Sequence, residues 1–152
     1  MTVSHTVAAA LLMYAAATDN RQPSAEAAIG WANALDERVN PEDGKAAIDT
    51  HRSTSTDWLL PAHVNAEVRR LRKARTDAIG ADEVPPAELA EKPARALGWT
   101  REYRRAIGDG ETPERAEARA CDAVGVEVPA QIEGTRRMPD VGHLARTVPE
   151  RD

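Results

Sequence analysis

Alanine sets the limits on what this chain can fold into. The sequence holds 29 alanines against 25 leucines, isoleucines and valines together, and no phenylalanine. Alanine is the strongest helix former and carries a small side chain, so a core rich in it is a core of closely spaced helices. The large aliphatic residues make up about 16% of the chain, a share that goes with disorder when net charge is high. The formal charge here is only −5 over 152 residues. An all-α fold with a small helical core and loosely held extensions satisfies both observations.

The first half reads as four helices. The first runs over 4–18, with Val7, Leu11 and Tyr14 on one stripe and Leu12 beside it, and ends in the turn-prone TDNRQPS. The second begins near Pro23, a residue suited to a first helical position, with Ser24 as a candidate cap. It carries Ala25, Ala28, Ile29, Ala32 and Leu35 at helical spacing, plus Trp31. The third has the clearest start: Asn40 caps, Pro41 opens the first turn, and Glu42 and Asp43 complement the helix dipole. Its apolar face is thin, consisting of Ala46, Ala47 and Ile48. The connector Trp58-Leu59-Leu60 then reads as a segment tucked into the core, and Pro61 presets the fourth helix, with Val64, Val68 and Leu71 at i, i+4, i+7. Leu11, Trp31, Leu35, Trp58, Pro61, Val64, Val68 and Leu71 are therefore the expected core and structural residues.

These helices make up a domain over 1–76. Residues 77–96, acidic and proline-bearing, read as a linker or short helix. A helical hairpin follows over 97–125, its turn at Gly108-Asp109-Gly110 and its second helix capped by Thr112 with Pro113 next to it. Trp99, Tyr103, Ile107, Ala120 and Val124 can close a small contact within it. That is too little apolar surface for an independent domain. The prolines and polar residues of 126–152 read as a flexible, mostly extended tail.

Charge is distributed unevenly over this frame. Residues 1–60 carry −4, residues 61–75 carry +4 and residues 76–152 carry −5. The positive stretch is the second half of the fourth helix: Arg69, Arg70, Arg72, Lys73 and Arg75. Cations near a helix C-terminus are favoured by the dipole, but five exceed that need. They suit nucleic-acid phosphates, an acidic protein surface, or plain solvation. Only His63 and Asn65 near the helix start have base-reading side chains, so phosphate contact is the more natural role than sequence readout. A second candidate patch, Trp99, Arg101, Tyr103, Arg104 and Arg105, interleaves aromatics with arginine as a single-strand stacking platform does, or else is a core tryptophan with solvated arginines. In the tail, Val141, Leu144 and Val148 at i, i+3, i+7 are compatible with a short helix folding into a partner's groove.

No chemistry is legible. His5, His51, His63 and His143 with Cys121 show no HxxxH, CxxC or HExxH spacing, so no metal is expected. No glycine-rich phosphate loop, nucleophile elbow or Ser/His/Asp arrangement can be assembled. A binding protein without enzymatic activity or cofactor is the expectation. A lone cysteine points to a reducing cytoplasm. No apolar run is long enough for a membrane span, and no basic leader precedes the apolar stretch 7–17.

The first half resembles the helical domain of phage replicative-helicase loader and inhibitor proteins. The likeness covers about residues 7–75: the Ala/Leu helix AAALLMYAAAT, the Pro-initiated helix AAIGWANAL, an acidic-start helix with Ala46, Ala47, Ile48 and His51, and then WLLPAHV leading into VRRLRKAR. The resemblance implies a non-enzymatic DNA-replication adaptor that binds a replicative helicase, or another replication protein, and loads or restrains it. On that pattern Arg136, Arg137, Met138, Val141 and Leu144 of the tail would touch the helicase. The basic helix would face DNA or an origin-binding protein. The alternative is a small DNA-binding or regulatory protein contacting phosphates directly through residues 61–75.

Overall fold

A computed structural model describes residues 3–80 and 83–127. Among them are six α-helices and no strand: α1 (His5–Ala16), α2 (Ala25–Ala34), α3 (Pro41–Thr54), α4 (Pro61–Ile79), α5 (Pro93–Gly108) and α6 (Pro113–Val124). A single 3-10 turn, Ala87–Leu89, lies between α4 and α5. The tail residues Arg136, Arg137, Met138, Val141 and Leu144 lie outside the described residues. No described helix is long and apolar enough to cross a membrane.

Local chemistry starts most helices. Ser4, Ser24, Asn40 and Thr112 each accept a hydrogen bond from the backbone N–H three residues on, which satisfies one of the orphan donors of a helix start. Ser24 is thus the cap of α2, and Pro23 precedes the helix instead of opening it. The start of α4 is held differently: the Leu60 N–H donates to His63 Nδ1 at 3.2 Å, and the His63 ring stacks on His51 at 4.5 Å between centroids.

Two apolar clusters form, with no residue in common. The first joins α1, α2, α3 and the N-terminal half of α4 around Leu11, Leu12, Trp31, Leu35, Ile48, Leu59, Val64 and Val68. Five of its fifteen buried members are alanine, and that lets the helices approach closely. One close approach is at Gly44 on α3, where a Cβ would meet Leu11 Cδ1 at 2.6 Å. The second cluster packs α5 against α6 around Trp99, Tyr103, Ile107, Ala116, Ala120 and Cys121. Leu89 of the 3-10 turn is fully buried in it. Ile79, at the end of α4, packs against this second cluster. One helix therefore serves both.

Several expectations need correction. Of the connector Trp58-Leu59-Leu60, only Leu59 is buried; Trp58 is 57% exposed and Leu60 is exposed as well. Trp58 is not a core residue but a cover for Arg21, whose guanidinium lies 4.7 Å from its ring and 5.4 Å from that of buried Trp31. Arg21 also donates to Leu59 O at 3.0 Å and pairs with Asp19 at 2.7 Å. Leu71 and Pro61 are half-buried, outside the fully buried set. Ile29 and Ala46 face solvent.

Candidate anion-binding groove

The basic stretch of α4 does not form one stripe. Helical geometry spreads residues 69–75 around the axis, and their partners divide them into three groups. Arg69, Arg72 and Lys73 line an open groove of about 540 Å3. Arg70 turns away to Glu67, its i−3 neighbour, at 2.6 Å; the ion pair lowers the pKa of Glu67 and raises that of Arg70. Arg75 points into the junction between the two clusters, where its two terminal nitrogens meet the Asp43 carboxylate at 2.8 and 2.5 Å.

The opposite wall of the groove is α5. Arg101, Arg104 and Arg105 line it at the same i, i+3, i+4 spacing as the α4 row. The loop between α2 and α3 closes one side with Asp36, Glu37 and Arg38. Two patches separate in the sequence are one surface in the fold. The aromatic half of the second patch is excluded from it. Trp99 is 2% exposed and stacks on buried Tyr103 at 4.9 Å, and its indole N–H donates to Cys121 Sγ at 3.3 Å. No base can lie on rings so buried, which removes the stacking-platform reading and keeps the arginines.

Base readout by Asn65 is removed as well. The Asn65 side chain accepts from the Asp36 N–H at 2.8 Å and donates to Ala34 O at 2.9 Å, stapling the α2–α3 connection to α4. His63 accepts from the Leu60 N–H through Nδ1 and stacks its ring on His51.

Electrostatic partners grade the groove from rim to floor. At the rim, Lys73 is 74% exposed and pairs with Asp77 at 2.5 Å, and exposed Arg69 approaches Asp36 at 3.6 Å. Such pairs contribute little stability and exchange readily with a competing anion. Arg104 is bound to Glu83, whose carboxylate raises its pKa. Arg101 and Arg105 are exposed and make no ion pair with the described residues. At the floor sits Arg72, its side chain 11% exposed and bound to Asp109 at the end of α5. Gly108 lies against that guanidinium, a Cβ there coming within 3.2 Å of it.

Asp109, Asp43 and Arg119 escaped the sequence reading. Asp109 accepts from Arg119 Nη1 at 3.2 Å as well as from Arg72. Arg119 also reaches Glu102 and Glu111, each at 2.9 Å, and Glu111 is the main cause of its raised pKa. Asp43 was expected only as a dipole partner at the start of α3, whereas it is 3% exposed and holds Arg75. No local pattern points to these pairs, since the partners lie on different helices or on a helix and the α5–α6 connection. No family model, no curated protein and no solved structure matches this chain.

Proposed function

We propose that the protein is a non-enzymatic cytoplasmic binding protein that grips nucleic-acid phosphates in the groove between α4 and α5. The observation that carries this reading is the meeting of two arginine-rich rows, from helices separated in the chain by residues 80–92, on the walls of one recess. Among the described residues, seven cations line it against two carboxylates, Asp36 and Glu37, in a chain whose overall charge is −5. A positive recess on a negative molecule steers a polyanion to one place. Anisotropy titration of a labelled oligonucleotide tests it. Affinity should fall steeply with salt, and the Arg101→Ala/Arg105→Ala variant should bind at least tenfold more weakly with an unchanged melting temperature. Binding insensitive to that variant rejects the groove.

A second reading keeps the replication-adaptor role that the resemblance implies, with a ring helicase or another replication protein on the first cluster. It is favoured by the placement of exposed apolar side chains. Among the described residues Met13, Ile29, Trp58 and Leu60 are exposed on α1, α2 and the α3–α4 connector, and none lines the groove. Pull-down of the replicative helicase by the full chain, weakened by Trp58→Ser with Leu60→Ser, is the expected result. No association at micromolar concentration rejects it.

A further inference from the structure

α4 is not a free-standing helix. α3 packs along it on one side and α5 on another, and the cations Arg69, Arg72 and Lys73 open onto the recess between α4 and α5. A helix that reads duplex DNA has to enter a major groove about 12 Å wide, and one helix with its side chains already measures about 10–12 Å across. With α5 alongside, α4 cannot enter. A duplex lying over the groove would meet only its rim, at Arg69, Lys73, Arg101 and Arg105. Arg72 on the floor, 11% exposed, is open only to a chain thin enough to descend between the walls.

The aromatic residues add a second constraint. Trp99 and Tyr103, the two aromatics of α5, are stacked on each other inside the second cluster. Base stacking is what usually makes single-strand grooves tight, and among the described residues no aromatic ring lines this groove. Its contacts are to the backbone alone.

Resting on the phosphate-gripping reading above, we propose that the groove takes the backbone of a single strand, with the bases turned out to solvent and no preference among them. Each cationic row spans five residues, about 6 Å of helix from first to last, so the two walls face a short run of phosphates. A phosphate at the floor competes with the Asp109 carboxylate for Arg72, and phosphates at the rim displace Asp77 and Asp36 from Lys73 and Arg69.

The test uses the full chain at about 50 mM salt and three labelled probes of about 15 nucleotides: a mixed-sequence strand, the same strand as a blunt duplex, and an oligo-dT. The single strand should bind at least fivefold more tightly than the duplex. Oligo-dT and mixed sequence should agree within threefold, and log K should fall with log salt at a slope of about −2. Duplex affinity equal to or above that of the single strand overturns the single-strand inference, while a loss of both in the Arg101→Ala/Arg105→Ala variant keeps the groove reading. A tenfold preference for one base composition overturns the bases-out arrangement. Absence of binding to all three probes, or binding that the variant leaves unchanged, overturns the groove reading itself.

Discussion

Arg75 of α4 grips the Asp43 carboxylate with both terminal nitrogens, at 2.8 and 2.5 Å, and one of those nitrogens also donates to Gly108 O at 3.0 Å. The contact joins the N-terminal turn of α3, where a carboxylate is favoured, to the C-terminal turn of α5, where a cation is favoured. The pair holds the Arg75 pKa above its ordinary value, chiefly through the hydrogen bond to Asp43. Asp43 is almost wholly buried whereas Arg75 is about a third exposed, so it is removal of Arg75 that strands a charge. We expect Arg75→Ala to lower unfolding free energy by about 3 kcal/mol in urea denaturation. Lys73→Ala, at an exposed i,i+4 pair, should stay within about 0.5 kcal/mol of the parent. Equal effects of the two would refute the junction.

The spacing between α1 and α3 is set by Gly44. Alanine there gains about 1 kcal/mol of helix propensity but drives a Cβ into fully buried Leu11, with contacts at 2.6 and 2.7 Å. Overpacking costs about 1–3 kcal/mol. A net loss of up to about 2 kcal/mol is therefore expected for Gly44→Ala, read as a lower urea midpoint. A gain in stability would mean that Leu11 has room to move.

Trp99 anchors the second cluster. Trp99→Ala should cost about 3–5 kcal/mol, because the side chain is 2% exposed and little can collapse into the space. Trp99→Phe keeps the stacking on Tyr103 but loses the N–H to Cys121 Sγ, and should cost less. Thiol labelling of the native protein checks it further: Cys121 should be protected in the parent and become reactive in Trp99→Ala.

Asp19 gives the fold an acid-sensitive point. Its hydrogen bond from Arg21 holds its pKa below the ordinary carboxylate value. A carboxyl whose pKa is depressed on folding stabilises the protein above its unfolded pKa, about 4, and that contribution is lost as pH falls through the folded value. Thermal melts at pH 7 and about pH 3 should therefore show a larger drop in the parent than in Asp19→Asn. Since Arg21 lies beneath Trp58, the fluorescence of that exposed ring should change over the same acid range. An identical pH response of the two proteins would count against this assignment.

Sequence-local features were legible because their causes are local. Ser24, Asn40 and Thr112 cap helices by bonding backbone three residues away, and the periodicity of Val64 and Val68 or of Trp99, Tyr103 and Ile107 fixes a buried face within one helix. The i, i+3 and i, i+4 pairs Glu67–Arg70 and Lys73–Asp77 are local too, but helical spacing alone does not say that the arginine and lysine side chains turn to these partners. The fate of Trp58 was not legible, since a tryptophan beside Leu59 looks apolar until the neighbouring turn delivers Arg21 to its face.

What the amino-acid order determined alone is an alanine-rich all-α chain with its helices started at particular caps and prolines, and a cationic segment at 69–75. Which of those cations face solvent was decided only by the packing of α3 and α5 against α4. That packing sent Arg75 to Asp43 on α3 and Arg72 to Asp109 beyond α5, and left Arg101 and Arg105 on the opposite wall, while α6 against α5 enclosed Trp99. The physical reason is range: a cap or a hydrophobic face needs partners within one or two helical turns, whereas an ion pair across helices depends on the packing of residues more than thirty positions apart.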